Sequence, residues 1–201
     1  IPKAMCPVKG VPLIERHVIN LAQAGFRQIV VNHAYLGGKI RRYLGSGKPW
    51  GVEIIYAPEP PGGLETGGGI FNALPWLGLE PFITVNADIY TDFDFSLLEL
   101  GKVQNLHLVL VHKNPKLEHH GDFGLDTDGL LTNDKVEFTY AGIACYHPKL
   151  FRSYKYGRYS ITPMLRQLVQ EGKATGQVYA GMWHDIGSLE RLRDANLEKS
   201  V

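Results

Sequence analysis

Apolar and polar positions along this chain switch between two periods. Ile14, Val18, Leu21 and Ala22 recur at helical spacing across Leu13 to Ala24, and Gly25 is a natural stop. Gln28 to Asn32 (QIVVN) is a short β-branched run and reads as a buried strand. The helical period returns at Leu36, Ile40, Tyr43 and Leu44, closed by Gly45, and VEIIY at Val52 to Tyr56 predicts the next strand. Phe82 to Asp88 (FITVNAD), with Pro81 in front, predicts a strand buried on both faces that runs abruptly into a carboxylate. Phe95 to Gln104 reads as a helix and LHLVLVH at Leu106 to His112 as a strand. Strands alternating with helices predict an α/β fold, with a parallel sheet wrapped by helices.

Three stretches break the rhythm. Pro2 to Pro12 reads as irregular. Ala57 to Ile70 is so rich in Pro and Gly that it predicts a loop, with a helix only from Ile70 to Leu77. Beyond a polar loop with His119 and His120, four short runs are separated by turn residues: Phe123 to Asp126, Leu130 to Asn133, Val136 to Tyr140 and Gly142 to Tyr146. They predict antiparallel strands, with Asp128-Gly129 as a hairpin turn. A helix at Ile161 to Glu171, a strand at Gln177 to Ala180 and a terminal helix at Ser188 to Glu198, N-capped by Ser188, complete the pattern.

Size and composition narrow the classes. A chain of 201 residues is long enough to bury one sizeable core. A net charge of +1 supports neither a nucleic-acid backbone nor an anionic membrane as partner. No apolar run is long enough to span a bilayer. Cys6 and Cys145 stand singly, without CxxC spacing, which fits a reducing cytoplasm.

The candidate chemistry is acidic and glycine-rich. In open α/β sheets ligands bind beyond the carboxyl ends of strands, where Asp88 falls; it either serves a ligand there or begins a turn. Asp185 lies between a predicted strand and a capped helix. Two carboxylates from distant segments, both at strand ends, suit Mg2+, which takes few protein oxygens and leaves room for phosphates and water. Gly62, Gly63, Gly67, Gly68 and Gly69 surround Glu65-Thr66 ahead of a helix, a setting in which backbone N–H groups can approach an anion. The spacing is neither GxGxxG nor a Walker sequence. Asp92 and Asp94 read as turn and cap residues, Cys145 as buried structure, and Tyr154, Tyr156 and Tyr159 as part of a loop that could cover a site.

Together these segments resemble sugar-1-phosphate nucleotidyltransferases. PKAMCPV at Pro2 to Val8 followed by GVPLI at Gly10 to Ile14 is similar to that family's PKPLxPVxxxPLI. LETGGGI at Leu64 to Ile70, VNAD at Val85 to Asp88, AGI at Ala141 to Ile143 and WHDIGS at Trp183 to Ser188 follow in the family's order. The set is most similar to the N-acetylmuramate α-1-phosphate uridylyltransferases, with mannose-1-phosphate guanylyltransferases as near kin. The resemblance implies a Rossmann-like, doubly wound, mostly parallel sheet with a small antiparallel sugar-binding portion, the nucleotide-diphospho-sugar transferase fold. It implies that a sugar 1-phosphate attacks the α-phosphorus of a nucleoside triphosphate, with pyrophosphate leaving. Asp88 and Asp185 would hold Mg2+, and Lys3 would neutralise phosphate charge. Lys3, Leu64, Glu65, Thr66, Gly67, Gly68 and Asn86 would line the nucleotide. Gly124, Glu137 and Tyr140 would face the sugar, Glu137 least securely because the family's carboxylate sits in a longer segment. Ala87 stands where relatives carry glycine. The family also begins with a strand and a GxGxRxxPLT loop, so the resemblance implies such a segment upstream of Ile1. Other bases and sugars, or a silent nucleotide-sugar-binding relative, remain open at this stage.

Overall fold

The computed structural model describes residues 1–112 and 121–197. The His119-His120 pair, and Glu198 at the end of the last predicted helix, lie outside the described residues. In chain order the strands are β1 Pro7–Val8, β2 Val11–Pro12, β3 Gln28–His33, β4 Glu53–Pro58, β5 Phe82–Val85, β6 Ile89–Thr91, β7 Leu106–His112, β8 Gly124–Leu125, β9 Leu131–Thr132, β10 Phe138–Tyr146, β11 Ala174–Tyr179 and β12 Trp183–Asp185. The helices are α1 Leu13–Gln23, α2 Gly37–Leu44, α3 Glu65–Leu77, α4 Thr162–Gln170 and α5 Leu189–Leu197. The chain divides into two compact units: Ile1–Leu64 with Asn86–Leu97 and the segment from Met182 onward, and Glu65–Val85 with Leu98–Gly181.

In the first unit β3 and β4 form a parallel ladder, Val31 opposite Tyr56. Ile14 and Val18 of α1, Ile40 and Leu44 of α2, and Val31, Val52 and Ile54 make the core beside it. Of the positions that predicted these helices, Ile14, Val18, Ile40 and Leu44 are buried, each worth about 1.5–3 kcal/mol when fully removed from water, whereas Leu36 and Tyr43 stay exposed. The stretch expected to be irregular, Pro2 to Pro12, instead holds a one-turn 3-10 helix at Lys3–Met5 and a hairpin of β1 with β2. Lys9 and Gly10 turn that hairpin with φ of 49° and 79°, the pairing a two-residue primed turn needs.

His17 of α1 is buried against the Ile89 backbone, and desolvation lowers its pKa to about 4. An unfolded histidine takes up its proton near pH 6.5. The unfolded chain therefore binds more protons than the folded one between pH 6.5 and 4, and stability falls as pH drops through that window. The loss reaches about 3 kcal/mol, and His17→Leu is expected to flatten that part of a urea-denaturation pH series.

The second unit is built on a four-stranded sheet in the order β11-β7-β10-β5. β11 runs parallel to β7, whereas β10 is antiparallel to both β7 and β5. Leu106, Leu108, Leu110, Ala144 and Tyr146 of the sheet pack with Met164, Leu165, Leu168 and Val169 of α4. The sequence placed the last strand of this sheet at Gln177, but it begins at Ala174. His107 of β7 explains the extension: its ring nitrogens contact Thr175 Oγ1 at 2.8 Å and Gln177 Oε1 at 3.0 Å, so polar residues are held within the ladder.

Other expectations are corrected. The two runs predicted at Val136 to Tyr140 and Gly142 to Tyr146 are one strand, β10, with its register against β7 shifted between Tyr140 and Ala144. Phe95 to Gln104 is not a helix but two 3-10 turns, Phe95–Leu97 and Leu100–Lys102. There the Asp94 carboxylate accepts the Ser96 N–H at 2.9 Å and so caps the first of the two turns. Of β5, predicted to be buried on both faces, only Phe82 is fully buried. The loop predicted over Ala57 to Ile70 gives way at Glu65, where α3 begins and takes in all three consecutive glycines.

Candidate active site

β6 and β12 form a short antiparallel ladder that pairs Trp183 with Thr91, His184 with Tyr90 and Asp185 with Ile89. One step further, the Ile186 N–H donates to the Asp88 carbonyl at 2.8 Å. Asp88 itself sits in the turn leaving β5, closed by the Ile89 N–H on the Asn86 carbonyl at 3.3 Å. Asp88 thus lies in the turn one step beyond the pair that Asp185 forms with Ile89, and it is the Asp88 backbone that the ladder fixes. Asp88 and Asp185 are both half-buried. Asp88 is a turn residue, as one of its two readings in the sequence had it.

The ladder is pinned from both ends. The Thr91 hydroxyl donates to the Met182 carbonyl at 2.8 Å, and the Asp92 carboxylate accepts from the Met182 N–H at 3.0 Å. Asp92, expected as a turn or cap residue, instead joins the two strands across 90 residues, whereas Asp94 caps the turn that follows it, its carboxyl held below its usual range by hydrogen bonds from Ser96. Tyr90 and Ile186 bury themselves with Val8, Leu13 and Ala195. The His184 ring stacks on Tyr90 at 6.0 Å, and the Arg16 guanidinium lies 5.2 Å from that ring's centre. Ser188 caps α5, its hydroxyl accepting the Arg191 N–H at 3.2 Å. Arg191, which the motif reading passed over, places its Nη1 2.7 Å from Asp185 Oδ2. An arginine six positions after the aspartate, in the first turn of the following helix, was the available signal. Lys3 and Asn86 are exposed in this same unit.

Leu64 closes the first unit and Glu65, Thr66, Gly67 and Gly68 open the second. Leu64 is buried, and its N–H donates to Glu59 Oε2 at 2.7 Å while Glu59 Oε1 accepts from Asn32 at 2.7 Å. Glu59, a residue to which the sequence assigned no role, thereby ties the end of β3 to the loop after β4. Glu65 has a φ of 60° and pairs with Arg158 at 3.1 Å. The Gly67 and Gly68 N–H groups, expected to face a ligand, donate instead to the Tyr159 carbonyl at 3.1 and 3.2 Å. The orphan donors of a helix start must find partners, and here the 158–160 segment supplies one. The Tyr159 ring lies directly over Gly67 and is backed by Tyr154 at 5.4 Å. Of the three tyrosines in that loop, Tyr159 covers Gly67 and Tyr154 backs it, whereas Tyr156 is exposed.

The three residues expected to face the sugar also lie in that unit. Gly124 pairs with Thr132, and a Cβ there would meet the Asp134 carbonyl at 2.5 Å. The hairpin itself therefore demands glycine at that position. Burial raises the pKa of the Tyr140 hydroxyl, which keeps it protonated. Glu137 is exposed. Burial pushes the Cys145 thiol up to about 12, which suits a structural rather than a nucleophilic cysteine.

Residues 2–119 match the MobA-like NTP transferase domain. The chain is 41% identical over 203 residues to the N-acetylmuramate alpha-1-phosphate uridylyltransferase of Neisseria meningitidis, covering 96% of this chain and 87% of that protein. The protein of the same name from Caulobacter vibrioides is 27% identical, covering 92% and 83%. Among solved structures, HddC from Yersinia pseudotuberculosis complexed with GMP-PN superposes with a TM-score of 0.80 at 21% identity, over 98% of this chain and 89% of that one. That likeness shows the nucleotide-diphospho-sugar transferase fold expected from the sequence. With its aspartate-bearing ladder and its glycine motif at the start of α3, this chain belongs to the MobA-like NTP transferase family and, within it, to the sugar-1-phosphate nucleotidyltransferases related to N-acetylmuramate α-1-phosphate uridylyltransferase.

Proposed function

We propose that the protein transfers the uridylyl group of UTP to N-acetylmuramic acid 1-phosphate, giving UDP-N-acetylmuramic acid and pyrophosphate. The observation that supports this reading most is the 41% identity, over 96% of the chain, to a protein bearing that name; the backbone pairing of β6 with β12, which draws the Asp88 and Asp185 segments together, is consistent with it. The attacking sugar phosphate is already an anion, so the site has little proton transfer to perform. Its task is to position two polyanions and offset their charge.

The donor set fits Mg2+. Among the described residues no group of three or more His, Cys, Asp or Glu side chains gathers as a metal site, so a divalent ion here would rely on two carboxylates and fill its remaining positions from phosphate and water. When bound, such an ion draws charge from the triphosphate and steadies the departing pyrophosphate. Asp88 and Asp185 supply hard oxygen ligands. Lys3, exposed on its 3-10 turn, supplies a compact positive charge for phosphate. The stretch from Leu64 to Gly68, together with Asn86, lines the nucleotide, while Gly124, Tyr140 and Glu137 contribute to the sugar side. Among the described residues no helix is long and apolar enough to cross a membrane, and a nucleoside triphosphate substrate suits the cytoplasm, where UDP-N-acetylmuramic acid would feed cell-wall recycling.

Pyrophosphate release measured over a grid of UTP, GTP, CTP and dTTP against several sugar 1-phosphates tests the proposal. UTP with N-acetylmuramic acid 1-phosphate is expected to exceed every other pair by at least about tenfold in kcat/KM, a gap of 1.4 kcal/mol. A larger rate for another pair reassigns the substrate, and binding without turnover makes the chain a silent relative.

A further inference from the structure

We propose that Arg191 is a built-in rival of the metal: its guanidinium neutralises the Asp185 carboxylate in the metal-free protein, so the divalent ion binds weakly alone and tightly only in company with the triphosphate. This inference rests on the reading of Asp88 and Asp185 as the metal ligands. The contact is direct, Nη1 lying 2.7 Å from Oδ2, and both side chains are partly open to solvent. The placement is unusual on its own terms. Arg191 is in the first turn of α5, the end where a helix favours negative charge, and its backbone N–H is already engaged by Ser188. A cation at that position needs an anionic partner, and Asp185 is the one it has. Gly187 leaves room for the pair: a Cβ there would come within 3.2 Å of Asp185 Oδ1 and 3.4 Å of Arg191 Nη1.

The energetics suit exchange rather than permanent closure. A partly exposed ion pair is weak, so the guanidinium can be displaced by a doubly charged ion. Without Arg191, the Asp185 carboxylate would attract a free cation more strongly. With it, the site is nearly neutralised until an ion arrives already carrying phosphate oxygens. The released guanidinium is a forked donor suited to phosphate, which makes the exchange easier when the triphosphate is present.

The test is binding of Mn2+, read as the loss of free-ion paramagnetic resonance signal, by the full chain with and without saturating UTP. Without nucleotide, Arg191→Met is expected to bind Mn2+ about two- to fivefold more tightly than the parent, and Arg191→Lys to fall between. With UTP the parent and Arg191→Met are expected to agree within about twofold. Equal or weaker binding by Arg191→Met in the absence of UTP overturns the proposal. If Arg191→Met does not fold by circular dichroism, Arg191→Lys decides alone: tighter binding than the parent supports the proposal and unchanged binding overturns it. Asp185→Asn separates the two layers. If it weakens Mn2+ binding while Arg191→Met fails to tighten it, only the rivalry falls. If it changes nothing, the metal reading falls as well.

Discussion

Asp88→Asn is expected to lower kcat/KM for uridylyl transfer by about a thousandfold or more. The amide keeps the size and shape of the carboxylate but removes the charge that a divalent ion and its phosphates require. The fold has little stake in that side chain. Residue 88 contributes to the ladder through its backbone carbonyl, which accepts the Ile186 N–H, and that bond survives the change. Circular dichroism and melting temperature should therefore remain within a degree or two of the parent while pyrophosphate release disappears. Activity within tenfold of the parent would remove Asp88 from the chemistry.

Gly67→Ala is expected to destabilise the protein by about 2 kcal/mol. Ordinary helix propensity predicts the reverse, since alanine is better than glycine inside a helix by roughly 1 kcal/mol. The structure explains the opposite sign. A Cβ at residue 67 would lie 2.6 Å from two Tyr159 ring carbons and 2.9 Å from the Tyr159 carbonyl oxygen. Tyr159 cannot yield cheaply, because its ring stacks on Tyr154 and its carbonyl accepts from Gly67 and Gly68. The melting temperature should fall by roughly 4–8 °C for a chain of this size. A stabilised Gly67→Ala protein would mean that the glycine is there for ligand approach alone.

The elements most legible in the sequence were those whose burial repeats with a helical or strand period. α1, α2, α4, β3, β4 and β7 fall within a few residues of where the pattern placed them, because enough of the periodic apolar positions in each are buried. Boundaries went astray where a side chain or a distant carbonyl supplied hydrogen bonds that local pattern does not encode. The glycine run joined α3 because residue 159 caps it from far along the chain. Gly124, read as facing the sugar, is required by its own hairpin.

Periodicity, the turn residues and the order of the short motifs were enough to settle the α/β class and the kinship, because all of these are local properties written into consecutive residues. The pairing of the Asp88 segment with the Asp185 segment, the seat of Tyr159 on Gly67 and the hold of Arg191 on Asp185 were decided by folding alone. Each depends on which backbone group pairs with which across long separations, and on where a flexible side chain finds its opposite charge. Neither is specified by the spacing of residues along a strand or a helix.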